Sequence, residues 1–182
     1  MKMMKTIRTI AILMFIMGLG TSCVKEKLVE TYNKQEESID KYISSSLKDN
    51  MRVTYNNGAA RLTRKEGEGE ELKADGSVGF YYAGFTFKGS LTAGNLFSTN
   101  HQESAEAYKW EVTDPDYNVL EINLKDDRLL EGIRNGLTGV KAGEECEILF
   151  SGKYGFGKNT FGIIPANSAL AFKIWVVSVS NE

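Results

Sequence analysis

LLEGIRNGLTGVKAGEECEILFSGKYGFGKNTFGIIPANSALAF, residues 129–172, decides the fold. Leu129, Leu130, Ile133 and Leu137 recur at three- and four-residue steps, which predicts a short helix with one apolar face. Asp126 or Asp127 can cap its start, and Gly136 or Gly139 its end. Cys146, Ile148 and Phe150 then alternate with Glu145, Glu147 and Leu149, the pattern of a strand with one mainly apolar face. A glycine-rich loop leads through Gly162-Ile163-Ile164-Pro165 into a last strand, with Leu170, Phe172, Ile174 and Val176 on one face. The other face carries Lys173, Trp175, Val177 and Val179, too apolar for open solvent. It predicts a cover, either the hairpin at 53–63 or the N-terminal helix.

Working outward, Val78 to Ala83 reads as the first core strand and Val119 to Leu124 as the strand before the helix. Tyr108-Lys109-Trp110-Glu111-Val112 alternates and predicts an edge strand, with Asp114-Pro115-Asp116 as a turn. Val53 to Leu62 centres on Asn57-Gly58, the preferred core of a type I′ hairpin. Glu66-Gly67-Glu68-Gly69-Glu70 reads as a polar, flexible break. Val24 to Asn50 is charged and helical in pattern, with Val29, Tyr32, Ile39, Ile43 and Leu47 on a narrow stripe. It reads as a tether; docking on the domain or pairing with a second copy as a homodimer are its other uses.

The order Gly132, Gly136-Leu137-Thr138-Gly139-Val140-Lys141-Ala142-Gly143-Glu144, Tyr154-Gly155 and Gly162-Ile163-Ile164-Pro165 resembles the C-terminal half of FKBP-type peptidyl-prolyl cis-trans isomerases. Tyr81-Tyr82-Ala83-Gly84 and Leu96-Phe97-Ser98-Thr99 match two further family elements, and the segments around Phe97 are longer than usual. The resemblance implies an α+β fold, a twisted antiparallel sheet wrapped around one short helix, with an N-terminal helix and hairpin as an appendage. The corresponding divisions are a signal peptide at 1–22, a lipid-anchored helical tether at 23–50, hairpin and linker at 51–72, and the FKBP-like domain at 73–182.

Lys2, Lys5 and Arg8 precede an apolar run, Ile10 to Met17, too short to span a membrane, which reads as a signal peptide. Leu19-Gly20-Thr21-Ser22-Cys23 resembles a bacterial lipobox, with Gly20 where the strict form has leucine. Cys23 is then the lipidation site, and the domain sits in the cell envelope, anchored to a membrane outside the cytoplasm. Cys146, the other of two cysteines, reads as a small core residue. Loss of residues 1–22 removes three of 22 basic residues and no acidic ones, leaving 19 against 24 and a net charge near −5. That excludes a nucleic-acid partner.

Rotation about a peptide bond meets a barrier of about 18–20 kcal/mol. Lowering it needs no nucleophile, metal or cofactor, only an apolar, water-poor pocket that fits the twisted transition state. By resemblance, Tyr82, Phe97, Leu130, Ile133, Tyr154, Ile164 and Phe172 form the catalytic pocket for proline-containing polypeptides. Tyr82, Phe97 and Phe172 are its aromatic walls and Ile133 its floor. The Leu130 N–H and the Tyr154 hydroxyl hold substrate carbonyls, with Phe156 as the alternative at the last place. Ser98 stands where the family has aspartate, Ile133 where it has a large aromatic, and Leu120 at another aromatic position. These departures imply weak catalysis; a catalytically inactive peptide-binding or chaperone module is the alternative function. Gly155-Phe156-Gly157-Lys158-Asn159-Thr160 lacks the phosphate-loop spacing, and His101 alone makes no metal site. Trp110 reads as a packing residue.

Overall fold

The computed structural model describes residues 25–182. The signal segment and Cys23 lie outside the described residues. Of these, residues 25–34 belong to one unit and Gln35–Glu182 to another. Residues 25–46 are helical (α1).

Seven antiparallel strands follow: β1 Arg52–Asn56, β2 Ala59–Lys65, β3 Ser77–Thr86, β4 Leu96–Thr99, β5 Leu120–Asn123, β6 Glu145–Phe150 and β7 Leu170–Ser180. They form a single sheet in the order β1-β2-β6-β7-β3-β4, with β5 also on β3. Two short helices lie between strands, α2 Gln102–Tyr108 after β4 and α3 Glu131–Leu137 after β5.

Asn57 and Gly58 both have positive φ, 44° and 84°, so the β1–β2 turn is the tight primed type that its sequence favours. The hairpin is nonetheless no appendage, because β2 pairs with β6 from Ala59↔Phe150 to Lys65↔Glu145. The glutamate-glycine segment after it is tied down as well. Glu68 N–H donates to Ala142 O and Leu72 N–H to Val140 O, both at 2.8 Å, and Leu72 is buried. A sequence of glycines and glutamates is silent about such partners 70 residues away.

Helix α3 lies across the concave face on β6. Gly132 and Gly136 make this approach feasible: a Cβ at Gly132 would enter the Phe150 ring, and one at Gly136 would enter Ile148. The helix starts at Leu130 without a side-chain cap, and Asp126 serves the preceding turn instead, accepting from the Arg128 N–H at 2.9 Å. Gly139, at φ 83°, ends it. Ile133, Leu137, Ile148, Phe150, Phe172 and Ile174 meet in the core between helix and sheet. Cys146 belongs to this core as a free, buried thiol, its pKa pushed up chiefly by burial.

The convex face has two covers. Residues 35–46 of α1 set Ile39 and Ile43 against Ala60, Leu149 and Ala171. Tyr42 donates its hydroxyl to Glu147 Oε2 at 2.9 Å, where Arg64 Nη2 also arrives at 2.9 Å. Burial, then the Glu147 charge, pushes Tyr42 up to about 12. Glu147, which alternation puts outward, is therefore buried under the helix. The second cover is the excursion between β3 and β5. There Leu91, Leu96, Tyr108 and Trp110 pack with Phe85 and Trp175, and His101 stacks on Trp175 at 3.8 Å and 14°.

Two expectations fail here. Residues 108–112 form no edge strand: Tyr108 ends the helix α2, Lys109 closes it in the left-handed region, and residues 110–112 are irregular. Val179 does not share the outer face of Trp175. The β3–β7 register shifts at Gly79/Phe80, so Val177 is the extra, exposed residue and Val179 turns back onto the core.

Candidate functional site

A cleft of about 690 Å³ opens between α3, the concave face of the sheet and the 155–165 loop. Ile133 and Leu130 enter it from α3, Tyr82 and Phe80 from β3, Phe97 and Ser98 from β4, and Phe172 from β7. Leu120 and Ile122 of β5 line it too, with Phe156, Phe161, Ile163 and Ile164 from the loop and Trp110 from the excursion.

The rings are set at angles to one another. Phe97 meets Phe172 edge-on at 5.7 Å and 81°, and Tyr82 lies 6.3 Å from Phe172 at 50°. Behind them Phe150 is stacked on Phe172 at 6.0 Å, linking this wall to the helix-packing residue of the core. Gly84 makes room for the arrangement, since a Cβ there would stand 2.7 Å from Phe97 Cζ. Phe156 and Phe161 stack face to face at 4.6 Å on the loop, and Phe161 and Ile163 are 62% and 72% exposed. Such bare apolar surface at a cleft mouth is a contact surface in waiting.

Polar groups in the cleft are few. The Tyr82 hydroxyl and Ser98 Oγ are 2.9 Å apart and hydrogen-bonded, so Ser98 is a partner for Tyr82 rather than an idle turn residue. Arg128 at the edge is paired with the Asp126 carboxylate, which this guanidinium and the Arg128 N–H hold down at a pKa of about 2. At the start of α3 no acceptor among the described residues meets the Leu130 N–H, leaving a donor at the cleft. Among the described residues no cluster of His, Cys, Asp and Glu could hold a metal ion.

Six of the seven expected residues therefore share one cleft: Tyr82, Phe97, Leu130, Ile133, Ile164 and Phe172. Tyr154 does not join them. It closes a 3₁₀ turn, Gly152–Tyr154, which turns its ring against Gly58 at the hairpin, on the side of Tyr55 and Asp40. Phe156, two residues on, takes its place, and it has no hydroxyl. Leu120 and Ile133 line the cleft as aliphatic residues, as their sequence requires. Trp110 packs on the outer cluster and also faces the cleft, which composition alone did not show.

Asn100 is the supporting residue that sequence reasoning missed. It is 7% exposed, accepts from the Tyr82 N–H at 2.6 Å, and donates to Asn118 O at 2.8 Å and Phe80 O at 3.3 Å. It thus fixes the backbone carrying Tyr82 and ties together the two ends of the excursion. Nothing local marks an asparagine in a polar stretch for this role.

Comparison with known proteins places these features. Residues 70–177 match the model of the family described as FKBP-type peptidyl-prolyl cis-trans isomerase. The chain is similar to FK506-binding protein 4 of Candida glabrata, 30% identical over 132 residues, covering 72% of this chain and 28% of that one. It is 28% identical over 125 residues to the FKBP-type peptidyl-prolyl cis-trans isomerase FkpA of Buchnera aphidicola, covering 68% and 42%. The matched part is thus less than half the length of either relative. Against FK506-binding protein 1A of Neurospora crassa the identity is 26%, over 72% of this chain and 96% of that one. The fold is similar to the crystal structure of FkpA from Escherichia coli, with a TM-score of 0.56 and 19% identity over 93% of this chain and 70% of that one. The N-terminal domain of FKBP42 from Arabidopsis thaliana gives 0.57 and 17%, over 74% and 97%. With a match over more than half its length, the chain belongs to the FKBP-type peptidyl-prolyl cis-trans isomerase family.

Proposed function

We propose that this protein is a peptidyl-prolyl cis-trans isomerase that acts on exported polypeptides from a membrane surface. The observation that carries the activity is the cleft itself, ringed by Tyr82, Phe97 and Phe172 over Ile133 and nearly free of polar groups. A proline ring seated on Ile133 loses its water, and so does the amide before it. Resonance in that amide separates charge and keeps it planar; a dry, apolar wall favours the twisted state, in which the charge separation is gone. The Leu130 N–H is the donor for a substrate carbonyl and fixes the chain so that only the proline bond turns. The rate gain comes from tighter binding of the twisted form than of either planar isomer. With Tyr154 turned away, the cleft holds one fewer donor, and the catalysis is weaker for it.

The location rests on the sequence: Lys2, Lys5 and Arg8, the apolar run and Cys23 direct export and lipid attachment. Val29 and Leu47, 57% and 46% exposed, are surfaces on which a second copy could pair.

A protease-free assay of the full-length protein in detergent, on a proline tetrapeptide, tests the activity. Acceleration over the spontaneous exchange of roughly 10–100 s is expected. It falls at least tenfold in Tyr82→Ala with Phe97→Ala. No acceleration by the wild type, or equal rates in the double variant, removes the catalytic function. Incorporation of labelled palmitate, lost in Cys23→Ser, tests the anchor.

A further inference from the structure

The geometry points to Trp110 as a specificity-determining residue that takes a large apolar side chain flanking the substrate proline. Trp110 arises outside the strands and helix that build the cleft, within the excursion between β4 and β5. It is carried there by a defined device. Helix α2 closes with Lys109 at φ 55°, the Trp110 N–H donating to Ala105 O at 2.8 Å and the Lys109 N–H to Glu106 O at 3.2 Å. This is the double bond pattern of a left-handed helix stop, and it reverses the chain abruptly. The indole is half-buried, with one part on the Phe85–Leu96 cluster and another in the cleft. The excursion is pinned at its far end by Asn100 to Asn118 O. Trp110 is a fixed wall.

A second groove of about 350 Å³ begins on its other side. The groove and the cleft share Tyr82, Ser98, Trp110 and Leu120. These four residues are therefore a ridge common to both spaces. An extended polypeptide advances about 3.3–3.6 Å per residue, so a chain with its proline on Ile133 crosses this ridge within a few residues. Of the four, Trp110 offers the largest flat apolar face. A flat indole gains most from an aromatic or long aliphatic neighbour and little from alanine. Tyr82 and Ser98 are engaged with each other and add no competing demand for a polar side chain.

The assignment rests on the isomerase function proposed above, and its test separates the two. The full-length wild type, Trp110→Ala and Trp110→Phe are assayed on two peptide series. In one the residue before proline is alanine, leucine or phenylalanine; in the other the residue after it varies in the same way. The quantity read is the ratio of kcat/KM within a series, which does not depend on the fraction of protein folded. In one series the wild type should prefer leucine or phenylalanine to alanine by roughly tenfold. Trp110→Ala should bring that ratio within about twofold, and Trp110→Phe should keep most of it. A wild type without preference, or a Trp110→Ala that keeps the full ratio in both series, overturns the assignment. If the wild type accelerates no peptide, the isomerase function falls instead, and the same ratios taken from Kd values by calorimetry decide the role of Trp110.

Discussion

Gly132→Ala sets two effects of opposite sign against each other, and the structure says which wins. In a helix interior, alanine in place of glycine stabilises by about 0.5–1 kcal/mol. Here the new methyl would enter the Phe150 ring. That ring has no exposed surface and is stacked on Phe172, so it has nowhere to swing. Helix α3 must lift from β6. Overpacking a dense core costs about 1–3 kcal/mol, and a fully buried ring as the obstacle puts this case at the upper end. The net is about 2 kcal/mol of destabilisation, a fall in Tm of about 4–8 °C for a chain of this size. Urea denaturation with a thermal melt reads it. Gly94→Ala is the control, because nothing lies within 4 Å of its added methyl, and it should stay within about 0.5 kcal/mol of the wild type. The same displacement moves Ile133 and the Leu130 N–H relative to Tyr82 and Phe172. A misplacement of about 1 Å costs on the order of 100-fold in rate, so kcat/KM should fall well beyond the loss of folded protein. A Gly132→Ala protein as stable as the wild type, or more so, would refute the tight docking of α3 on β6.

Three further outcomes are expected. Ile43→Ala should cost about 2–5 kcal/mol in denaturant, since Ile43 is 2% exposed, whereas Leu47→Ala just past the helix end should cost under about 0.5; equal small effects would mean that residues 35–46 do not cover the sheet. Arg61→Leu should cost about 3–5 kcal/mol, because it strands the buried Glu144 carboxylate 3.4 Å away and frees the Gly136 and Thr138 carbonyls that Arg61 binds at 2.9 Å. Adding Glu144→Gln should recover part of that loss, and no recovery would place the cost in the carbonyls alone. Burial holds the His101 pKa below its ordinary 6.5, against the opposing pull of Glu103 and Glu145. The unfolded chain then takes the proton first. The contribution is complete above about pH 6.5 and declines as pH falls from there toward the lower folded value. Denaturation midpoints at pH 7.5 and 5.5 should differ more in the wild type than in His101→Gln; identical differences would discount the half-buried stack on Trp175.

Much of this architecture was legible wherever the code is local. Asn57-Gly58 specifies its turn because both residues tolerate positive φ. The spacing of Leu130, Ile133 and Leu137 specifies one helix face, and the alternation from Cys146 to Phe150 specifies one sheet face. Of the two glycines offered as the helix end, Gly139 is the one that serves, while Gly136 lies inside the helix against Ile148. Local signals misled where a side chain's fate hangs on distant partners. Glu147 looks solvent-facing until Tyr42 and Arg64 reach it. Val179 looks outward until a bulge at Val177 turns it in. Tyr108–Val112 alternates like a strand, yet its backbone is taken by the closing turn of α2.

The candidate site divides in the same way. Through its resemblance to the family the sequence pointed to an apolar pocket and to Tyr82, Phe97, Leu130, Ile133, Ile164 and Phe172 as its lining, and these six share one cleft. Only the tertiary structure decided that Phe156 and not Tyr154 faces the cleft, that Asn100 braces it, and that Trp110 reaches it from outside the sheet. Those three depend on where loops of irregular backbone come to rest. That is set by contacts between segments far apart in the chain, which no period of 2 or 3.6 residues encodes.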